Sequence, residues 1–172
     1  VIQLKEKSRP KLKPFDCSPI KPTGNNAMTR TTPTFKMFIH PVKTDIHVSG
    51  SIKRSGVWEG AQISLFTEYL EEYPTSLFVD VGLNIGMYGL VAAANKHKVI
   101  GFEPLLLNLN RVCSSINYNN FNDMVTIYPY AITNTVTKVS FRTPKENAGG
   151  TSVSDNKLLA GVENIDFANA YT

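Results

Sequence analysis

Two carboxylates and a glycine-bearing turn carry the chemistry that can be read from this chain. Asp80-Val-Gly82-Leu-Asn84-Ile-Gly86 follows the apolar run Ser76-Leu-Phe-Val and leads into the small apolar residues that end at Ala94. A β-branched run that stops at an acid, turns through glycines and continues in helix-forming residues reads as a buried parallel strand feeding a helix. Such a turn brings backbone N–H groups and the positive end of a helix against a ligand. Its spacing selects among ligands. A nicotinamide-type fingerprint needs glycines at the first, third and sixth positions, and counted from Gly82 the third is Asn84 and the sixth is Met87. A Walker-type phosphate loop needs Gly-Lys-Ser/Thr, which the chain lacks. An acid two residues before the first glycine repels a pyrophosphate and suits an ammonium or sulfonium group, and S-adenosylmethionine carries both.

The next apolar run, Lys98-Val-Ile-Gly-Phe-Glu103-Pro104, also ends in an acid, 21 residues beyond Gly82. At that spacing a carboxylate accepts hydrogen bonds from ribose hydroxyls, and Pro104 ends the strand because it has no ladder donor. A third strand is expected over 124–128. Pro129-Tyr130-Ala131-Ile132 then lies at its carboxyl end, where open α/β sheets place their ligands. Backbone groups of Tyr130 and Ala131 there can read an adenine edge, and ordinary strand-end packing accounts for Tyr130 and Ile132 equally well.

Together, Asp80-Val-Gly82-Leu-Asn84-Ile-Gly86, Phe102-Glu103-Pro104 and the later Gly149-Gly150-Thr151-Ser152 resemble the FkbM-type S-adenosylmethionine-dependent methyltransferases, over about residues 55–172. The resemblance implies an α/β fold with a doubly wound, Rossmann-like class I methyltransferase sheet. It implies S-adenosylmethionine as cofactor, bound by Asp80, Gly82, Asn84, Gly86, Glu103, Tyr130 and Ala131, with Gly149, Gly150, Thr151 and Ser152 in a loop beside cofactor and acceptor. The acceptor it implies is a hydroxyl of a sugar, glycan or natural-product-like small molecule. An acid near Trp58-Glu59 would face the methionine end or the acceptor, which makes Glu59 the candidate catalytic base. By itself Glu59 reads equally as an acid favoured at a helix N-terminus beside an aromatic anchor.

The chain also departs from the family. Leu83 stands where relatives commonly have Ala, a bulkier wall beside the cofactor, and the Lys-x-Asp-x-Glu-Gly pattern of a further central strand is absent. The expected sheet is therefore incomplete at its C-terminus, the chain a fragment, with an apolar edge and face exposed and poor solubility alone. A non-catalytic scaffold or cofactor-binding remnant is the alternative that these departures favour. A nicotinamide-dependent oxidoreductase is disfavoured by Asn84 and Met87.

These residues must be positioned by a chain of 172 residues, 42% apolar and 19% charged, enough for one domain with a sizeable core. No run of 18 apolar residues is present to span a membrane. Residues 1–54 hold 11 Lys/Arg against 3 Asp/Glu, and residues 55–172 hold 7 against 11. The basic character thus lies outside the region with the chemistry, which argues against a nucleic-acid partner. Residues 1–34 read as a basic, proline-rich disordered tether, and residues 35–58 as a short capping hairpin of strands at 35–39 and 45–49, with His40 and His47 in surface or loop roles. Residues 59–172 read as the partial methyltransferase domain, with helices over 60–73, 85–96 and 106–119, a strand over 138–142, and no strong strand over 153–172. Cys113 is expected as a buried free thiol, although Cys17 is available to pair with it. No Cys/His ligand spacing supports a metal. The compartment stays open: cytoplasmic, or lumenal below an upstream membrane anchor.

Overall fold

The chain is an α/β structure, seen in a computed structural model that describes residues 12–133, 137–142, 152–154 and 167–171. The N-terminal part builds β1 (Asn26–Met28), β2 (Lys36–Phe38), α1 (Val48–Ser55) and α2 (Gly60–Glu72). A parallel unit follows: β3 (Leu77–Val81), α3 (Met87–Ala94), β4 (Lys98–Phe102), α4 (Leu106–Asn119) and β5 (Val125–Tyr128). After it come β6 (Ala131–Ile132), β7 (Thr137–Arg142), β8 (Ser152–Ser154) and β9 (Phe167–Tyr171).

The sheet that positions the site has the order β3-β4-β5, with Asp80 beside Gly101 and Phe102 beside Tyr128. The usual right hand of such crossovers puts α3 and α4 on one face, and a Cβ on Gly86 at the start of α3 would lie 3.4 Å from Val112 of α4. The Phe66 ring of α2 joins them there, 4.8 Å from Phe78 and 5.4 Å from Tyr88. Leu90, Val91, Ala92 and Ala93 of α3 are almost fully buried on that face, so the small side chains let the helix lie close to the strands. The opposite face is apolar as well, yet Leu77, Val79 and Val81 are 53%, 48% and 62% exposed. Strands apolar on both faces belong in a sheet covered on both sides. The uncovered apolar face expected from the sequence is therefore present, while winding of helices on both faces is not seen among the described residues.

Several elements differ from expectation. Residues 12–34 are not a disordered tether. Phe15 N–H donates to Ile127 O at 2.8 Å on the open edge of β5, and Asn117 Nδ2 donates to the carbonyls of Cys17 and Ile20, both at 2.8 Å. This strap holds Cys17 over α4, where it forms a disulfide with Cys113, so Cys113 is not a free thiol.

The expected hairpin within 35–58 is replaced by β1 paired antiparallel with β2, then by helix α1. Asp45 is the reason: its carboxylate accepts the N–H groups of Val48 and Ser49 and the Ser49 hydroxyl. Five residues that alternate also fit a cap followed by a first turn, with Val48 and Ile52 buried one turn apart. Within 153–172, β9 is a strand after all, because its backbone completes ladders with β6 and β7. Alternating alanines gave little apolar pattern to announce it.

Candidate functional site

The turn after β3 alternates left-handed residues: Gly82 at φ 85°, Asn84 at φ 54° and Gly86 at φ 90°. Glycine enters that region without steric penalty and asparagine is among the side chains that tolerate it. Asn84 can thus occupy a position where the nicotinamide fingerprint has glycine.

Four of the turn's N–H donors are already engaged. Gly82 and Leu83 N–H both donate to Phe102 O, at 3.0 and 2.9 Å, Gly86 N–H donates to Leu83 O at 2.9 Å, and Asn84 N–H donates to Glu103 Oε2 at 2.8 Å. At the start of α3 the Asp80 carboxylate accepts the Gly89 N–H. The bare N–H cradle expected from the sequence is absent from these positions, and a carboxylate sits where a phosphate would bind.

Leu83 packs inward against two glycines. It is buried, and a Cβ on Gly101 or Gly89 would come within 2.6 or 2.8 Å of its side chain. It therefore plugs the space between α3 and β4, and it also lines one of the two recesses beside the turn. Above Gly82 a Cβ would meet nothing within 4 Å.

Two recesses flank the turn and share Gly82 and Asn84. The first, about 220 Å³, is lined by Glu103, Tyr130 and Ala131, with Phe102, Leu105 and Phe141 among its walls. Glu103 is only 5% exposed. Its Oε2 accepts the Asn84 N–H, its Oε1 accepts the Leu105 N–H at 2.9 Å, and the Asn108 side chain bonds to it as well. Burial pushes its carboxyl up to about 7, against the pull of those donors, with a smaller push from Asp80. Tyr130 is held by its N–H to Tyr128 O at 2.9 Å, and its hydroxyl accepts the Lys13 N–H at 3.4 Å.

The second recess, about 190 Å³, brings together Asp80, Glu59, Trp58 and Tyr88. Asp80 is pushed up to about 6 by burial, opposed by its bond from Gly89. Glu59 precedes α2 in a left-handed conformation, φ 54°, and its Oε2 accepts the Tyr88 hydroxyl at 2.7 Å. Burial, then that carboxylate and Asp80, push the Tyr88 hydroxyl up to about 12.

Of the residues singled out in the sequence, Asp80, Gly82, Asn84, Glu103, Tyr130, Ala131 and Glu59 line these two recesses. Gly86 does not. It caps α3, and a Cβ there would face Leu90 and Val112 inside the protein. Gly149, Gly150 and Thr151 lie outside the described residues, and Ser152 is described only as backbone at the start of β8.

Asn108 and Tyr88 were not anticipated. For Asn108 the signal was its place on the apolar stripe of α4, beside Leu109 and Val112, where a buried polar side chain needs a partner. His40, expected in a surface or loop role, lies in the loop after β2 but is buried, and its Nε2 lies 2.8 Å from Asn108 Oδ1. Among the described residues no three His, Cys, Asp or Glu converge to hold a metal ion, and no helix is long and apolar enough to cross a membrane. Comparison of the chain with family models, with curated proteins and with solved structures returned no match.

Proposed function

We propose that the chain binds S-adenosylmethionine across the Gly82–Asn84 turn and is an FkbM-type methyltransferase acting on a hydroxyl of a sugar or natural-product-like small molecule. One observation carries the reading. The turn is acidic and poor in free donors, with Asp80 on the helix end and Glu103 clasped by Asn84, so it disfavours a pyrophosphate and favours a cationic ligand that presents hydroxyls. The three-stranded parallel unit is read as one half of a Rossmann-like class I sheet, β3 being its first strand.

The residues present fit the cofactor. Glu103 offers acceptors to a ribose diol in a recess whose apolar walls suit a flat purine. The open space above Gly82 lets a ligand cross close to the backbone. Asp80 and Glu59, with the Trp58 and Tyr88 rings, face a cationic end. Bound there, S-adenosylmethionine supplies an electrophilic methyl on a sulfonium centre. The protein's part is to hold the acceptor oxygen in line at about 3 Å and to take its proton. Glu59 is the proposed base, oriented by Tyr88. The Cys17–Cys113 disulfide fits the lumenal alternative, since such bonds persist in oxidising compartments.

Calorimetric titration of S-adenosylmethionine, with NAD as control, tests the reading. Micromolar binding of the first alone is the expected result. Binding of NAD, or of neither compound to the folded chain, rejects it.

A further inference from the structure

We infer that His40 is a positioning residue for Glu103: its Nε2–H holds the Asn108 carbonyl oxygen and so turns the Asn108 amide N–H onto the Glu103 carboxylate. The inference deepens the reading of Glu103 as the hydroxyl acceptor and takes its functional meaning from that reading.

The geometry is a buried relay. Asn108 Oδ1 lies 2.8 Å from His40 Nε2, and the Asn108 side chain also bonds to Glu103. An ionised carboxylate can only accept, so the Asn108 amide nitrogen must face it, and the amide oxygen is left for a donor. His40 supplies that donor when Nε2 carries hydrogen.

His40 is itself anchored. Its backbone N–H donates to Ser49 Oγ at 3.0 Å, and the Ser49 hydroxyl donates to Asp45 Oδ2 at 2.6 Å. His40, Asn108 and Asp45 are 5%, 3% and 0% exposed, so water does not substitute readily for any link. The relay thus ties the N-terminal α1 unit to a carboxylate at the end of β4. Without a donor from residue 40 the amide is free to flip, and its oxygen would then repel the carboxylate. With it, Glu103 keeps three donors, from Asn84, Leu105 and Asn108.

Other titratable groups around the relay are Asp80 from β3 and Tyr130 from the approach to β6, both near Glu103, and Asp45 behind His40. Asp80 opposes ionisation of Glu103, so the Asn108 donor works against it.

The test is a carboxyl-carbon NMR titration of Glu103 in the ligand-free full chain, for the wild type, His40→Phe and His40→Gln. Phe fills the volume without a donor, and Gln places an amide N–H near the Nε2 position. The Glu103 midpoint should rise by about one pH unit in His40→Phe, the loss of one hydrogen bond to a charged group, and return to near the wild-type value in His40→Gln. An unchanged midpoint in His40→Phe, or equal shifts in both variants, overturns the assignment.

If either variant fails to fold, the ring nitrogen shifts of wild-type His40 decide. Nε2 carrying hydrogen throughout the titration of Glu103 supports the relay, and a bare Nε2 overturns it. Because no ligand is present, a positive result beside failed S-adenosylmethionine binding would retain the relay and reject the cofactor reading.

Discussion

Asp80 and Glu103 end neighbouring strands, both are largely buried, and both carboxyls are pushed up, to about 6 and about 7. Their surroundings then part. Asp80 lies on the face covered by α3 and accepts a hydrogen bond from the first turn of that helix. Glu103 follows β4, accepts the Leu105 N–H and the Asn108 side chain at the start of α4, clasps the turn through Asn84, and fronts a recess shared with Tyr130 and Ala131. An acid at the end of a parallel strand is therefore not a ligand group by position alone. Both acids are tied to a helix start and both line a recess, and what separates them is which recess each one faces.

The largest effect that would test this contrast is on binding. Glu103→Gln makes the group permanently uncharged and sets an amide donor against the N–H donors of Asn84 and Leu105. Affinity for S-adenosylmethionine at pH 8 should fall about 100-fold, through loss of charge-assisted bonds to the diol. It should fall to the level that the wild type shows at pH 5, where Glu103 is protonated. Calorimetry at the two pH values reads both numbers. Equal affinities would remove Glu103 from the site.

Next in size is the pH dependence of stability. The folded value of Glu103, about 7, lies above its ordinary 4.5, so between these values the native state binds more protons than the unfolded chain. This contribution is fully present below about pH 4.5 and is lost as pH rises through 7. Unfolding free energy from urea titrations should drop by about 2 kcal/mol between pH 5 and 8 on account of this group. In Glu103→Gln the remaining fall should be that of Asp80, ending near pH 6. A wild-type stability that rises over this range would mean that neither carboxyl is pushed upward.

Asp80 is probed by its role on the helix. Asp80→Asn keeps an acceptor for the Gly89 N–H and removes the buried charge, whereas Asp80→Ala leaves that N–H without its partner. At pH 7 the alanine variant should be the less stable of the two by about 1–2 kcal/mol, measured by urea unfolding. Equal stabilities would deny Asp80 its place on α3.

The parts of this architecture that were legible in the sequence are those with a local signature. The run 77–81, the turn through Asn84, the strand ending at Phe102 and the helix over 106–119 each announce themselves by apolar period and a stop signal. Tyr130 was legible as a candidate from its place after a strand, and Glu59 only through the family resemblance. Long-range partners had no such signature. Nothing near Cys17 says that 96 residues later a helix will present Cys113, and nothing near His40 names Asn108 as its partner. The short alternation at 45–49 was ambiguous in itself, and only the Asp45 bonds to Val48 and Ser49 decide for a helix start. The direction of Leu83 was also hidden, because it depends on two glycines, Gly89 and Gly101, on different elements.

The smallest effect on stability, and the one that most sharpens the contrast, belongs to Gly82→Ala. At φ 85° an L side chain is strained by about 1 kcal/mol. The added Cβ meets nothing within 4 Å, so packing contributes no further loss. At Gly86 the same change meets Leu90 at 3.2 Å, and the strain has a steric addition. Urea unfolding should accordingly rank Gly86→Ala below Gly82→Ala. Binding should rank them the other way, because the methyl group at position 82 rises between the Glu103 and Asp80 recesses, while position 86 faces the core. A Gly82→Ala chain that keeps full affinity for S-adenosylmethionine would mean that no ligand crosses the turn. The two recesses would then be separate sites, and Asp80 would have no share in what Glu103 holds.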